Sequence, residues 1–295
     1  MLLYGLVSSS GSILYKKEKD LQDSKKYSIK EQVLNTMDEL ISKVLEKNEL
    51  EIRDVELIGI AAPGAVYQGK IVRSGNLGIQ NFEIVKELEK KYKIPIYLRN
   101  DAKCAALAEN QYGSMREYTD GVFLCIGTGI GGAVFYEEKL IQPKRFPGFE
   151  FGHMVIEQDG MPCTCGRKGC FEQYASIKAL RVKVTQELKL EKTITGKELI
   201  QILKKEEYNK QLEPILKNYI NFLAIGITNI INIFEPEIVT FGGSFAYYET
   251  ILLPRLNQRF QQKNECLCFN REGKIPIMMA ATLKNDAGMI GATIQ

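Results

Sequence analysis

The chain has 295 residues, about two domains at roughly 150 residues each. With 45% hydrophobic and 25% charged residues it has a globular composition, which excludes collagen, coiled coil and a disordered chain. The net charge of +3, from 39 basic and 36 acidic residues, argues against a nucleic-acid binder built on a strong basic excess.

The chain opens inside a strand. Residues 2–7 and 12–17 read as a hairpin turned at Ser9-Ser10-Gly11. No basic n-region and no small-residue cleavage site mark the start as a signal peptide, so a cytoplasmic location is expected. Ser28-Ile29-Lys30-Glu31 is a capping box. The apolar residues Ile29, Val33, Met37, Leu40, Ile41, Val44 and Leu45 then recur at helical spacing. A short strand over 55–61 ends in the turn Ala62-Pro63-Gly64. Asn81 is expected to cap a second helix carrying Phe82, Val85, Leu88 and Tyr92. A strand over 94–98 leads to Asn100-Asp101, and a helix over 102–110 follows at once.

The second half begins with strand 122–126, a glycine loop and strand 133–136. A cysteine-rich loop separates this hairpin from helices over 176–188 and 196–204. The longest apolar stretch lies between Pro214 and Pro236. It is broken by Lys217, Asn218, Asn221, Asn229 and Asn232, so it reads as a buried core helix rather than a membrane span. Strand 238–241 ends in Gly242-Gly243, strand 275–279 follows, and a short helix after Asn285-Asp286 closes the chain. Strands and helices alternate in both halves, which predicts an α/β protein of two lobes. The expected lobes are residues 1–99 and 100–285, with the helix over 286–295 packing back on the first.

Three segments carry chemistry. His153, the chain's one histidine, precedes Cys163-Thr164-Cys165-Gly166-Arg167-Lys168-Gly169-Cys170. Three thiolates and an imidazole make a closed tetrahedral zinc site, which is structural. The alternative is three reduced cysteines and an incidental histidine. Of the other four cysteines, Cys104 and Cys125 read as core residues, and Cys266 and Cys268 receive no role. Second, Gly127-Thr128-Gly129-Ile130-Gly131-Gly132 exposes backbone N–H groups to a phosphate, or is a plain glycine-rich hairpin turn. It is not a Walker A loop, which needs a Gly-Lys-Ser/Thr ending, nor a dinucleotide fingerprint, because a strand rather than a helix follows it. Third, Asp101 opens a helix at a strand end. It can cap that helix, or it can accept a substrate hydroxyl proton as the base of phosphoryl transfer does.

Together these segments resemble the ROK family of sugar kinases and sugar-responsive repressors, almost end to end. The most specific part is Glu150-Phe151-Gly152-His153 followed by Cys163-x-Cys165-Gly166-x-x-Gly169-Cys170-x-Glu172. Ala62-Pro63-Gly64, Gly75-Asn76-Leu77, Asn100-Asp101-Ala102, the glycine loop and Gly242-Gly243 match as well. The resemblance implies the two-lobed, actin-like ATPase (ribonuclease H-like) fold with a zinc-stabilised loop, and sugar and nucleotide between the lobes.

It also implies roles. Asp101 is the general base, and Asn76, Asn100, Glu150, His153 and Glu172 grip the sugar hydroxyls. Gly127, Thr128, Gly129, Gly131 and Gly132 take ATP phosphates, and Gly242 and Gly243 pass near the adenosine. Mg²⁺ bridges the phosphates, and zinc sits on His153, Cys163, Cys165 and Cys170. The expected function is ATP-dependent phosphorylation of a hexose, first the 6-hydroxyl of glucose, by a homodimer without membrane contact or a DNA-binding helix-turn-helix.

One departure stands against this. Kinases of the family begin with a strand ending in Asp-x-Gly-Gly-Thr, the first phosphate loop, and nothing here matches it. Either the start codon is misassigned, or the chain is truncated and is a weak or inactive sugar-binding protein. The missing piece is about 5–6 residues and a turn.

Overall fold

The computed structural model describes residues 2–20, 28–75, 77–143, 148–262 and 275–295. Asn76, Cys266 and Cys268 therefore lie outside the described residues. The chain divides into two compact units, one of residues up to 112 with 285–295, the other of 113–142 and 148–284.

In the first unit β1 (Leu2–Val7) and β2 (Ile13–Lys19) form an antiparallel hairpin, with Gly5 opposite Lys16. β3 (Ile58–Ala62) and β7 (Ile96–Asn100) pair in parallel, with Ala62 opposite Asn100. Between them in sequence, β4 (Ala65–Tyr67), β5 (Lys70–Ser74) and β6 (Ile79–Phe82) make a small antiparallel sheet. Helix α1 (Ile29–Lys47) starts at the capping box read from sequence, with Ser28 and Glu31 reciprocally bonded, and buries Val33, Leu40 and Val44. The second helix departs from expectation. Asn81 lies inside β6 with φ 47°, and α2 (Ile84–Tyr92) begins after Glu83. Phe82 is thus a buried strand residue, packed with Ile71, Ile79, Ile84 and Leu88.

Helix α3 (Asp101–Tyr112) follows β7 without a loop and packs against the C-terminal helix α9 (Ala287–Ala292). That contact is close: a Cβ on Gly291 would stand 1.7 Å from the Cys104 carbonyl oxygen. Asp101 therefore belongs to the first unit, although its helix was expected in the second lobe.

The second unit is built on a five-stranded sheet. β8 (Gly121–Ile126) lies between β9 (Ile130–Tyr136), antiparallel, and β11 (Ile238–Gly242), parallel; β10 (Lys139–Leu140) and β12 (Ile277–Ala280) form the edges. Helices α4 (Glu172–Ala175), α5 (Ile177–Glu187), α6 (Gly196–Leu203), α7 (Asn209–Phe234) and α8 (Glu249–Gln262) complete it. The core holds Val122, Leu124, Val239 and Phe241 from the sheet and Leu223 and Ile227 from α7. Each large side chain buried there contributes about 1.5–3 kcal/mol. α7 starts before Pro214, which is accommodated near its beginning. Among the described residues no helix is long and apolar enough to cross a membrane.

Candidate functional site

The expected metal ligands come together in the second unit. The ligand atoms of His153, Cys163, Cys165 and Cys170 all lie within 4.8 Å of one another. The His153 Nδ1–Cys163 Sγ and Cys165 Sγ–Cys170 Sγ distances are both 3.6 Å. A tetrahedral ion with bonds of about 2.0–2.3 Å sets its ligands about 3.6–3.8 Å apart, so the donor set fits zinc in spacing and in kind.

The loop is folded for this. Cys163 N–H donates to the Arg167 carbonyl at 2.8 Å, and Gly166 N–H returns to Cys163 O at 3.0 Å. Gly169 has φ +74°, and a Cβ there would stand 1.7 Å from the Glu157 carbonyl oxygen. No other residue type fits that approach. Cys170 is fully buried next to Phe171, also fully buried. Burial pushes the Cys170 thiol up to about 12, whereas hydrogen bonds from Arg167 bring the exposed Cys165 down to about 6. Arg167 also donates to the His153 carbonyl at 2.9 Å, a contact the cysteine spacing alone did not suggest.

His153 reaches the cluster from a short turn, Phe151–His153, in which His153 N–H donates to the Glu150 carbonyl at 2.9 Å. Phe151 anchors that turn against Phe234, edge to ring at 5.9 Å between centroids. Gly152 lets it lie on β9: a Cβ would meet Ile130 O at 2.3 Å. Glu150 is left exposed beside this turn.

Glu172 joins the metal cluster to the glycine loop. Its Oε1 lies 3.8 Å from His153 Nδ1 and 3.4 Å from Cys163 Sγ. Its Oε2 stands 2.7 Å from the Cβ position of Gly129, so that glycine is where the carboxylate passes. Gly127, Thr128 and Gly129 form the turn between β8 and β9, closed by Gly127 N–H to Gly129 O at 2.9 Å. Gly131 and Gly132 are instead strand residues, opposite Cys125 and Leu124, and Gly132 makes room for Phe151.

Gly243 lies close to Ile126 and Cys125 at the end of β8, and Ser244 donates to the Ile126 carbonyl at 3.5 Å. Ser244 was not singled out from sequence; its place directly after the glycine pair was the available signal. Gly242 packs on the Phe123 ring and is the last residue of β11. Thus the glycine turn, Gly243, Ser244, Glu172 and the metal cluster form one continuous locality within the second unit.

In the first unit Asn100 and Asp101 form the junction of β7 and α3. Asn100 Oδ1 accepts from Ala102 and Lys103 N–H at 3.0 and 3.2 Å, and its amide donates to Gly64 O at 3.0 Å. The Asn100 side chain also hydrogen-bonds the Asp101 carboxyl. Asp101 Oδ1 accepts from Ala102 N–H at 2.9 Å, so the capping role exists. Its carboxyl reaches solvent but is poorly hydrated. Desolvation raises its pKa above the ordinary value against the downward pull of the Ala102 and Asp101 amides and the Asn100 side chain. A carboxylate raised in this way is a better proton acceptor near neutral pH.

The model of the ROK family matches residues 5–294. The chain belongs to the ROK family. Among curated relatives, the glucokinase of Thermotoga maritima is 30% identical over 304 residues, covering 98% of this chain and 91% of the relative. The xylose repressor of Bacillus subtilis is 27% identical over 235 residues, covering 79% of this chain. This chain spans only 59% of that repressor's length and 62% of the Caldicellulosiruptor bescii xylose repressor's. Among solved structures, a ROK hexokinase from Thermus thermophilus matches with TM-score 0.76 and 26% identity, over 96% of this chain and 90% of that one. A protein from Listeria monocytogenes described as a putative N-acetylmannosamine kinase matches with TM-score 0.77 and 28% identity, over 98% and 92%. The fold is accordingly that of the actin-like ROK sugar kinases.

Proposed function

We propose that this chain is an ATP-dependent hexose kinase, with the 6-hydroxyl of glucose as the first candidate acceptor. The observation that carries this reading is Asp101. It is a carboxylate with a raised pKa, fixed at a strand–helix junction whose neighbour Asn100 is itself locked by three hydrogen bonds. In the proposed step Asp101 takes the proton from the acceptor hydroxyl as its oxygen forms a bond to the γ-phosphorus, and the bond to ADP breaks. Base catalysis of this kind contributes about 10²–10⁴-fold. The end-to-end correspondence with a glucokinase supports the assignment.

The remaining roles follow the family resemblance. Asn76, Asn100, Glu150, His153 and Glu172 would hold sugar hydroxyls. The amides of Gly127, Thr128 and Gly129 would face the nucleotide phosphates, with Gly131 and Gly132 keeping β9 close and Gly242 and Gly243 lining the adenosine side. Mg²⁺, when bound with ATP, neutralises charge on the phosphates. Zinc held by His153, Cys163, Cys165 and Cys170 would act structurally, fixing the loop and the orientation of the imidazole. We assign the working protein to the cytoplasm, as a homodimer.

A second reading is a sugar-responsive regulator without turnover. One observation favours it: the match to xylose repressors. A coupled ADP-release assay over a panel of hexoses, paired with calorimetry, separates the two. The kinase reading expects ADP release with at least one hexose. The regulator reading expects heat of sugar binding with none.

A further inference from the structure

Among the described residues five cysteines are free, and Cys165 alone of them is exposed. Cys104, Cys163 and Cys170 are buried, and Cys125 is half-buried. The folding of the loop sets this difference. Residues 161–170 double back on themselves: Pro162 bridges to Lys168, Cys163 N–H donates to the Arg167 carbonyl at 2.8 Å, and Gly169 N–H donates to the Met161 carbonyl at 2.8 Å. Cys165 lies at the tip of this turn, with Cys163 and Cys170 on its two arms. Cys170 is tied down further by its bridge to Val155.

The three sulfurs also differ in what they face. Cys163 Sγ is engaged on three sides: it donates to Glu172 Oε1 at 3.4 Å and lies 3.6 Å from both His153 Nδ1 and Gln173 Nε2. Cys170 Sγ instead faces Cys165 Sγ, at 3.6 Å. The Arg167 side chain hydrogen-bonds Cys165 and sets a permanent positive charge beside this exposed sulfur. An accessible sulfur next to a guanidinium, with a second sulfur in contact, is the arrangement of a cysteine that oxidises reversibly.

The backbone permits the two sulfurs to join. A disulfide is about 2.0 Å long, so they must approach by about 1.6 Å. Cys165 is the one free to move. Residues 164–168 are exposed, and Gly166, with φ +89°, has nothing within 4 Å of its Cβ position.

We propose that Cys165 is a site of oxidation by hydroperoxides, with Cys170 as the cysteine that resolves it. The Cys165 thiolate attacks one peroxide oxygen; an S–O bond forms, the O–O bond breaks and hydroxide leaves. The Cys170 thiolate then attacks the Cys165 sulfur; the S–S bond forms, the S–O bond breaks and a second hydroxide leaves. Two electrons pass from the two sulfurs to the peroxide. Joining Cys165 to Cys170 leaves His153 and Cys163 as two of the four donors, too few for a closed tetrahedral site. Oxidation therefore releases zinc and frees the loop that carries His153. The pairing itself does not rest on the kinase assignment.

The test uses the zinc-loaded full chain, treated stepwise with hydrogen peroxide. Zinc release is followed with a chromogenic indicator, disulfides are located by peptide mapping without reduction, and amide exchange is measured over residues 155–170. The first disulfide within the loop should be Cys165–Cys170, with one zinc freed for every two loop thiols lost. Amide exchange over 161–170 should quicken at least about tenfold, as for a locally opened segment. Dithiothreitol with added zinc should reverse all three changes. A first disulfide that contains Cys163 overturns the proposal. So does a Cys165 that stays reduced or takes up oxygen without pairing, and so does zinc retained after Cys165 and Cys170 have joined. Untreated protein that takes up no zinc would instead refute the metal site, while the peptide map still reads the pairing.

Discussion

Stripping the metal from the second unit should unfold one loop and leave the rest standing. The geometry sets the scale. Three thiols and one imidazole lie within 4.8 Å, and two of the thiols, Cys163 and Cys170, are buried. Of residues 157–169 only Cys163 and Gly169 are buried, so the loop is held by hydrogen bonds with little core of its own, whereas Phe151 and Phe171 on either side belong to the main core. Zinc bound by such a donor set is worth about 10–16 kcal/mol in isolated peptides, comparable with the about 5–15 kcal/mol that stabilises a whole domain. The core should thus survive while the loop opens. The assay is metal analysis with thiol titration before and after a strong chelator. We expect one zinc per chain, and three additional thiols reacting once it is removed, with far-ultraviolet dichroism nearly unchanged. Affinity should fall as pH falls, because the buried Cys170 thiol is protonated at neutral pH without a cation and must lose that proton on binding. A protein with no bound zinc, or an unchanged thiol count after chelation, refutes the reasoning.

Other consequences follow from single contacts. Gly169→Ala places a Cβ 1.7 Å from Glu157 O, so zinc content of the purified variant should fall sharply while helix content persists. Ser176→Ala removes the side chain that accepts from Ala179 N–H at the start of α5, and should lower stability by about 1 kcal/mol in a denaturant titration. The raised pKa of Asp101 moves the acid limb of the pH–rate profile upward. The base is active only when ionised, so turnover should fall as pH drops through that raised value, at a higher pH than an ordinary aspartate would give.

The sequence made the second unit more legible than the first. In β8, β9, α5 and β11 apolar runs and cap residues agree with the tertiary environment, so strand and helix positions were read within a few residues. The metal ligands were legible because cysteine and histidine spacing within one loop is local information. The small sheet of β4, β5 and β6 was missed because strands of three to five residues carry too few positions for a period of two to be visible. Asn81 misled for a related reason: asparagine favours both helix caps and left-handed backbone, and here it takes the second. α8 carries Pro254 inside it, which masked a helix that packs on α7. Glu172 was named for sugar, but its position between metal ligands and glycine turn could come only from the fold.

The central claim is phosphoryl transfer with Asp101 as base. The most direct measurement is ADP release with saturating glucose for the parent and for Asp101→Asn, with zinc content, Tm and the heat of glucose binding recorded on both. The account predicts turnover in the parent and a loss of about 10²-fold or more in the variant, with the other three readouts preserved. Equal turnover in both proteins would contradict it, and so would glucose binding without ADP release in the parent.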